Sequence, residues 1–260
     1  MARDGDDKRT IRTERDGELL WLVLDRPERL NALCGPMREE ITEVLDQAAR
    51  GPWRCLLIRG EGRAFCAGAD LAQFVDEIDL ADAEAVRTYL AQGWQEVAAR
   101  LRELPLPVVS AVHGAAYGGG ANLALAADLV VAAESATFCE PYVTHGISPD
   151  CGATWLLPRL VGSQHTRRLL LLGEPIAAHE AARIGLVAEV VPDGALLARA
   201  RQLGTALAAK DPKALQATRE LLELNQHADL RKALAREAET VAALLGGPAF
   251  RHATARFRKH

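Results

Sequence analysis

The chain reads as an α/β fold whose strand-helix body passes into a helical tail. Three observations carry that expectation. Short apolar runs at strand spacing recur through the first three quarters of the sequence. Two of them lead into glycine-bearing turns and then toward helix, and from Gly194 onward helical periodicity dominates.

Taken in order, Ile11 to Arg15 and Glu18 to Leu24 predict a hairpin turning at Asp16-Gly17. Pro36 to Arg50 places Met37, Ile41, Val44, Leu45 and Ala48 on one stripe, as an amphipathic helix requires. Cys55 to Ile58, closed by Gly60 and Gly62, predicts a buried strand. Phe74 to Ala81 reads as a loop, and one long helix is expected from about Ala83 to Leu101. Pro105 and Pro107 break the chain before a strand at Val108 to Val112. Gly114 to Asp128 is rich in small residues and then helical; Leu129 to Ala132 and Thr137 to Cys139 are short extended segments. Cys151 to Leu160 opens a helix, Ser163 caps the next through Leu172, and Glu189 to Val191 is the last strand. The composition shifts near Pro192, which marks a subdomain boundary rather than a free linker, and no internal repeat is visible.

Composition narrows the function. The 260 residues are 49% hydrophobic and 25% charged, and nothing in the net charge of −4 favours a nucleic-acid backbone or an anionic membrane as the main partner. Cys34, Cys55, Cys66, Cys139 and Cys151 are odd in number and show no metal-knuckle or redox-pair spacing. Reduced thiols in a cytoplasm, and no metal site, are the expectation. Met1 to Thr10 is polar and reads as a frayed tail rather than a signal peptide, and no apolar run is long enough to span a bilayer.

Two segments carry candidate chemistry: Gly60-Glu61-Gly62-Arg63-Ala64-Phe65-Cys66-Ala67-Gly68-Ala69-Asp70-Leu71 and Val112-His113-Gly114-Ala115-Ala116-Tyr117-Gly118-Gly119-Gly120-Ala121-Asn122-Leu123. Glycine in such turns opens backbone conformations closed to other residues and lets a ligand approach the main chain. Two turns brought together would form an oxyanion hole, but the pattern alone favours tight packing points. Neither segment has the Gly-Lys-Ser/Thr ending of a phosphate loop, and Gly118-Gly119-Gly120 does not fit a dinucleotide fingerprint.

Five segments in register resemble the crotonase, or enoyl-CoA hydratase/isomerase, superfamily: Asp25 to Leu33, Ala64 to Leu71, Gly118 to Gly120, Leu157 to Gly162, and Ala177 to Val191. The resemblance implies an α/β spiral of repeated strand-strand-helix units (ClpP-like) over 1–192 and a helical oligomerisation region over 193–260. It also implies a homotrimer, or trimers paired into a hexamer, and an acyl-CoA thioester substrate. Coenzyme A would then be part of the substrate, and no separate cofactor is implied. By position, the backbone amides of Ala69 and Gly119 would be the oxyanion donors. Arg29, Leu30, Ala32, Ala67, Asp70 and Leu71 would line the coenzyme A path, and Asn122 and Tyr142 the acyl pocket. Phe257, Arg258 and Lys259 fit either a contact to a neighbouring subunit's nucleotide or a basic tail.

Hydratases of this family use two glutamates, which would fall on Asn122 and Tyr142. Hydration needs a base for water and an acid for carbon, and an amide and a phenol supply neither readily. A different carboxylate is present: Ser148 to Arg159 resembles the segment of CoA-dependent isomerases, the epoxyphenylacetyl-CoA isomerase branch above all, with Asp150 as the acid/base residue. Chlorobenzoyl-CoA dehalogenases carry an aspartate there as nucleophile, and Pro149-Asp150 before a helical run also fits an N-cap. The resemblance favours catalysis. A slow 2-enoyl-CoA hydratase and a non-catalytic acyl-CoA binder are the rival readings. His145 reads as a structural histidine, Glu140 as a surface or ion-paired residue, and Asp128 as structural. Arg63 reads as a solvated loop residue, and His113 as a hydrogen-bonding neighbour of the site.

Overall fold

The computed structural model describes residues 9–255. Strands β1 (Ile11–Asp16) and β2 (Leu19–Leu24) pair antiparallel, with Ile11 opposite Leu24 and Asp16 opposite Leu19. β2 then pairs in parallel with β3 (Cys55–Gly60), and β3 with β4 (Val108–Val112). Beyond β4 the sheet continues, again in parallel, through β6 (Leu129–Ala133) and β9 (Glu189–Val191). All six residues of β2 are buried, as a sheet covered on both faces requires. Side-chain alternation divides them between two cores. Leu20, Leu22 and Leu24 join Leu56 and Ile58 in one cluster, while Leu19, Trp21 and Val23 join Cys55 and Leu57 in the other.

A second sheet of three short strands, β5 (Ala115–Tyr117), β7 (Thr137–Cys139) and β8 (Ile176–Ala177), runs in the order β5-β7-β8. Parallel single-residue bridges, Leu33 to Ala69 and Cys66 to Ala116, repeat the same kind of short pairing in the earlier segments. Successive turns of the chain thus lay one strand in the large sheet, one short extended segment beside its neighbour, and then a helix. This is the expected spiral. The first core is covered by α1 (Gly35–Arg50), whose Met37, Ile41, Val44, Leu45 and Ala48 are buried as read from the sequence.

Two expectations are corrected. The segment beginning at Phe74 is not all loop, because α2 (Leu71–Glu77) covers its first four residues. α2 is capped by Asp70 and buries no residue, so no apolar stripe announces it. The single helix over 83–101 is two, α3 (Ala83–Ala91) and α4 (Trp94–Glu103), because Gly93 leaves helical conformation at φ −96° and ψ −126°. After α5 (Gly119–Leu125), α6 (Ala153–Leu172) is two helical stretches joined across a kink at Gly162, at φ 70° and ψ 174°, so the expected division between Leu160 and Ser163 holds.

Beyond α7 (Ala178–Arg183), helix α8 (Leu196–Ala208) places Leu196, Ala200 and Ala208 in the second core. Helices α9 (Pro212–Asn225), α10 (Leu230–Leu245) and α11 (Pro248–Thr254) bury none of their residues. Arg219 ties α9 to the body by donating to Asp128 Oδ1 at 2.8 Å, and Arg102 pairs with Glu223. No helix of the described residues is long and apolar enough to cross a membrane.

One buried amide joins the segments that follow β2 and β3. Asn31 is fully buried, with left-handed backbone at φ 56°. Its Oδ1 accepts from the Arg26 N–H at 2.8 Å, and its Nδ2 donates to the carbonyls of Glu61 at 2.9 Å and Ala64 at 2.8 Å. Asn31→Ala removes all three bonds and leaves buried backbone groups unpaired, so it is expected to lower unfolding free energy by about 3 kcal/mol. Chemical denaturation measures this; a loss below about 1 kcal/mol would show that Asn31 does not hold the two segments together.

Candidate active site

Because β2, β3, β4 and β6 are parallel, the segments that leave them start at one edge of the sheet. Those segments contain the candidates Arg29 to Ala32, Ala67 to Leu71, Gly119 to Asn122, and Glu140 to Asp150. Ligand crevices of parallel sheets lie at this edge.

The two glycine turns lie side by side. Cys66 pairs with Ala116, and three residues further along each chain are Ala69 and Gly119. Gly68 has φ 97°, and a Cβ there would come within 2.9 Å of the Tyr117 carbonyl oxygen. At Gly120 a Cβ would lie 2.5 Å from the Cys66 carbonyl oxygen, so close approach of the turns requires glycine. Among the described residues, neither the Ala69 nor the Gly119 N–H donates to a protein acceptor. Ala69 is exposed and Gly119 half-buried.

Arg29 and Leu71 are exposed, and Leu30, Ala32, Ala67 and Asp70 are half-buried. The two runs are stitched by Ala67 N–H to Leu30 O at 3.0 Å and Leu33 N–H to Gly68 O at 2.8 Å. Arg26 braces them, donating to Ala32 O at 2.6 Å and Asp70 Oδ2 at 3.0 Å. Asp70 is therefore engaged as an ion-pair partner and as the α2 cap, and the surface of this seam is made of Arg29, Leu30, Ala32, Ala67 and Leu71.

Asn122, at 0% exposure, is the hub of the acid/base side. Its Nδ2 donates to Tyr142 Oη at 2.9 Å and to Glu140 Oε2 at 3.3 Å, with the Asp150 carbonyl oxygen at 3.5 Å. Glu140 is 3% exposed and forms no ion pair among the described residues, which corrects its reading as a surface or ion-paired residue. Burial pushes its carboxyl well above the usual carboxylate range; the Asn122 bond opposes this and the neighbouring Asp150 adds to it. Burial likewise raises the Tyr142 hydroxyl, helped by Cys151, Asp150 and Glu140. The Cys151 thiol is raised by burial and then by Asp150. Asp150 itself is half-buried and stands beside both the Tyr142 hydroxyl and the Cys151 thiol. It does not cap α6: the cap position is Gly152, with no side-chain bond, and Cys151 and Gly152 both have positive φ, at 48° and 84°. The cluster is thus polar and proton-holding, with Asp150 as its partly accessible carboxyl group.

The remaining candidates stand apart. His145 is exposed, its Nδ1 2.9 Å from Pro141 O. His113 Nε2 lies 2.9 Å from Gly62 O and links the two glycine segments. Arg63 is exposed, and Asp128 is held by Arg219 while accepting from Val108 N–H at 2.8 Å. Phe257, Arg258 and Lys259 lie outside the described residues. No group of three or more His, Cys, Asp or Glu among the described residues is arranged to hold a metal. Asn31 and Glu140 are the residues whose roles the sequence reading missed. The signal for Glu140 was its place directly after the apolar run Phe138-Cys139.

Comparison with known proteins agrees with this geometry. The family model for enoyl-CoA hydratase/isomerase matches residues 14–257. A Rhodobacter capsulatus protein named a probable enoyl-CoA hydratase is 46% identical over 184 residues, covering 71% of this chain and 69% of that protein. The 1,2-epoxyphenylacetyl-CoA isomerase of Escherichia coli is 42% identical over 192 residues, covering 73% of this chain and 72% of that enzyme. The crystal structure of an enoyl-CoA hydratase from Polaromonas sp. JS666 superposes with a TM-score of 0.89 at 34% identity, covering 95% of this chain and 96% of that one. A match of this extent in sequence, and a shared fold along nearly the full chain, lead to one assignment: this is an acyl-CoA enzyme of the enoyl-CoA hydratase/isomerase, or crotonase, family.

Proposed function

We propose that the protein is an enoyl-CoA isomerase, shifting a double bond or rearranging a ring in an acyl-CoA through a thioester enolate. The observation that carries this reading is Asp150, a half-buried carboxyl beside a pocket wall in which Asn122 and Tyr142 occupy the places of the hydratase glutamates. In this reading the thioester carbonyl accepts hydrogen bonds from the Ala69 and Gly119 amides. Asp150 takes a proton from a carbon activated by that carbonyl, the charge moves to the thioester oxygen held by the two N–H groups, and the same carboxyl returns the proton at another carbon. No second acid is needed. Coenzyme A would lie along Arg29, Leu30, Ala32, Ala67, Asp70 and Leu71, as part of the substrate, with the acyl group toward Asn122 and Tyr142. The kinship with the Escherichia coli 1,2-epoxyphenylacetyl-CoA isomerase supports this choice of reaction.

A second reading, hydration of a 2-enoyl-CoA, is favoured by the name of the Rhodobacter capsulatus relative. The two are separated by a panel of saturated, 2-enoyl, 3-enoyl and aryl-acetyl thioesters, with products followed by mass spectrometry and proton exchange. Isomerisation should dominate, and brisk hydration of crotonyl-CoA would overturn the assignment. Asp150→Asn is expected to lower kcat by about 10²- to 10⁴-fold while a saturated acyl-CoA still binds. Unchanged isomerisation in that variant would remove Asp150 from the mechanism.

The proposed assembly is a homotrimer, or a hexamer of paired trimers, formed through the helices of 193–260, and the proposed setting is the cytoplasm. Neither nucleic acid nor membrane enters this reading. Sedimentation equilibrium should give three or six times the 28.0 kDa of the chain. A monomer at micromolar concentration would exclude the assembly.

A further inference from the structure

Glu140 is buried where the proposed chemistry assigns it no task. An ionised carboxylate without a cation is strongly disfavoured at such a site. Its Oε2 takes the Asn122 Nδ2 at 3.3 Å, and the two atoms of this pair left without a partner are Glu140 Oε1 and Asn122 Oδ1, both buried. Both are acceptors when the carboxyl is ionised. A proton on Oε1 makes it a donor for Oδ1, and acid and amide then satisfy each other through two bonds in a ring. The amide orientation follows independently, because the Asp150 carbonyl oxygen near Nδ2 only accepts. The second amide hydrogen goes to Tyr142 Oη at 2.9 Å, so the phenolic proton is free to turn toward the neighbouring Asp150 carboxyl.

We propose that Glu140 is an uncharged positioning residue: its carboxylic acid clamps the Asn122 amide, the amide holds the Tyr142 oxygen, and the Tyr142 proton is thereby presented to Asp150. The proposal rests on Asp150 being the acid/base group. Burial keeps the Glu140 proton on, against the Asn122 bond and with the help of Asp150. The titratable groups around it are Cys139 and Tyr142 on its own segment and Asp150 and Cys151 before α6; α5 contributes none. A hydroxyl donating to Asp150 would fix that carboxyl in one orientation and lower the loss of order on reaching the transition state.

The full chain, E140Q and E140A test this. At neutral pH the infrared spectrum should contain a carboxylic-acid carbonyl band that E140Q lacks. E140A should lower kcat by about tenfold to a hundredfold with little change in KM, and E140Q, which keeps a donor and an acceptor, should recover most of the loss. At alkaline pH the wild-type kcat should fall as Glu140 loses its proton, and that limb should vanish in E140Q. Since the folded carboxyl holds its proton above its unfolded value, wild type loses stability as pH rises past the unfolded value. The unfolding midpoint of E140Q should therefore climb relative to wild type as pH rises above the ordinary carboxylate range. A wild-type spectrum without the acid band, or an E140Q as slow as E140A, overturns the proposal. If E140A does not fold, the band and the alkaline limb of E140Q still decide. An active Asp150→Asn variant would instead remove the isomerase mechanism and leave the acid band in place, so the two failures are distinguishable.

Discussion

Parallel pairing of β2, β3, β4 and β6 is the constraint from which the site follows. A parallel sheet buried on both faces forces each connection to cross over and return, so every strand ends at the same edge. The segments leaving that edge are short and meet in a second tier, through the Leu33–Ala69 and Cys66–Ala116 bridges and the β5–β7 pair. That tier brings the segments of Ala69 and Gly119 together, and among the described residues neither N–H has a protein acceptor. The two amides owe their positions to main-chain pairing, and the glycines at 68 and 120 are what permit the approach. Asn31 reinforces the tier from inside, because its one side chain satisfies groups from both the first and the second crossover.

A second consequence is electrostatic. Where the tier closes over Asn122, Glu140 and Tyr142, water is excluded and charge is disfavoured. The phenol and the thiol of Cys151 hold their protons for the same reason. Hydration of a double bond requires two groups able to exchange protons with a water held between them, whereas a proton shift along an acyl chain requires one. A wall of neutral donors and acceptors around Asp150 suits the second task. The positive φ of Cys151 and of Gly152 fits the same picture, because the turn before α6 puts Gly152 and not Asp150 at the cap and leaves the Asp150 carboxyl without a helix-capping bond.

Much of this was legible in the sequence. β2, β3 and β4 declare themselves by apolar runs, and α1 by its stripe, because their burial is set by near neighbours. Ala69 and Gly119 were singled out by family position, since glycine turns by themselves favour tight packing. α2 escaped because it buries nothing, and the break at Gly93 because the flanking periodicity continues across it. Glu140 escaped for a deeper reason. Its burial comes from segments 18 residues before it and about ten after it, and no local pattern encodes a partner at that range. The N-cap alternative for Asp150 failed through two residues of left-handed backbone that only the folded turn discloses.

The C-terminal helices raise a different physical question, that of what holds them in place. α9 and α10 bury no residue, yet Leu222, Leu224, Leu230, Leu234, Val241 and Leu245 on these helices are exposed, and Phe250 on α11 joins them. The half-buried pair Arg219–Asp128 fixes the direction of α9, whereas a solvent-reached pair such as Lys232–Asp229 contributes little. Large apolar side chains at this density are a disfavoured surface for an isolated chain and a favoured one for association. Covering them against further copies would transfer apolar area from water without asking the core for any new packing. Stability of this region would then rise with protomer concentration, as mass action requires of any contact that forms only between folded chains. Among the described residues, the backbone hydrogen bonds of the candidate-site edge come from the crossovers of the first 150 residues and from none of these helices. Loosening the exposed helical surface would therefore leave that edge's main-chain pairing in place.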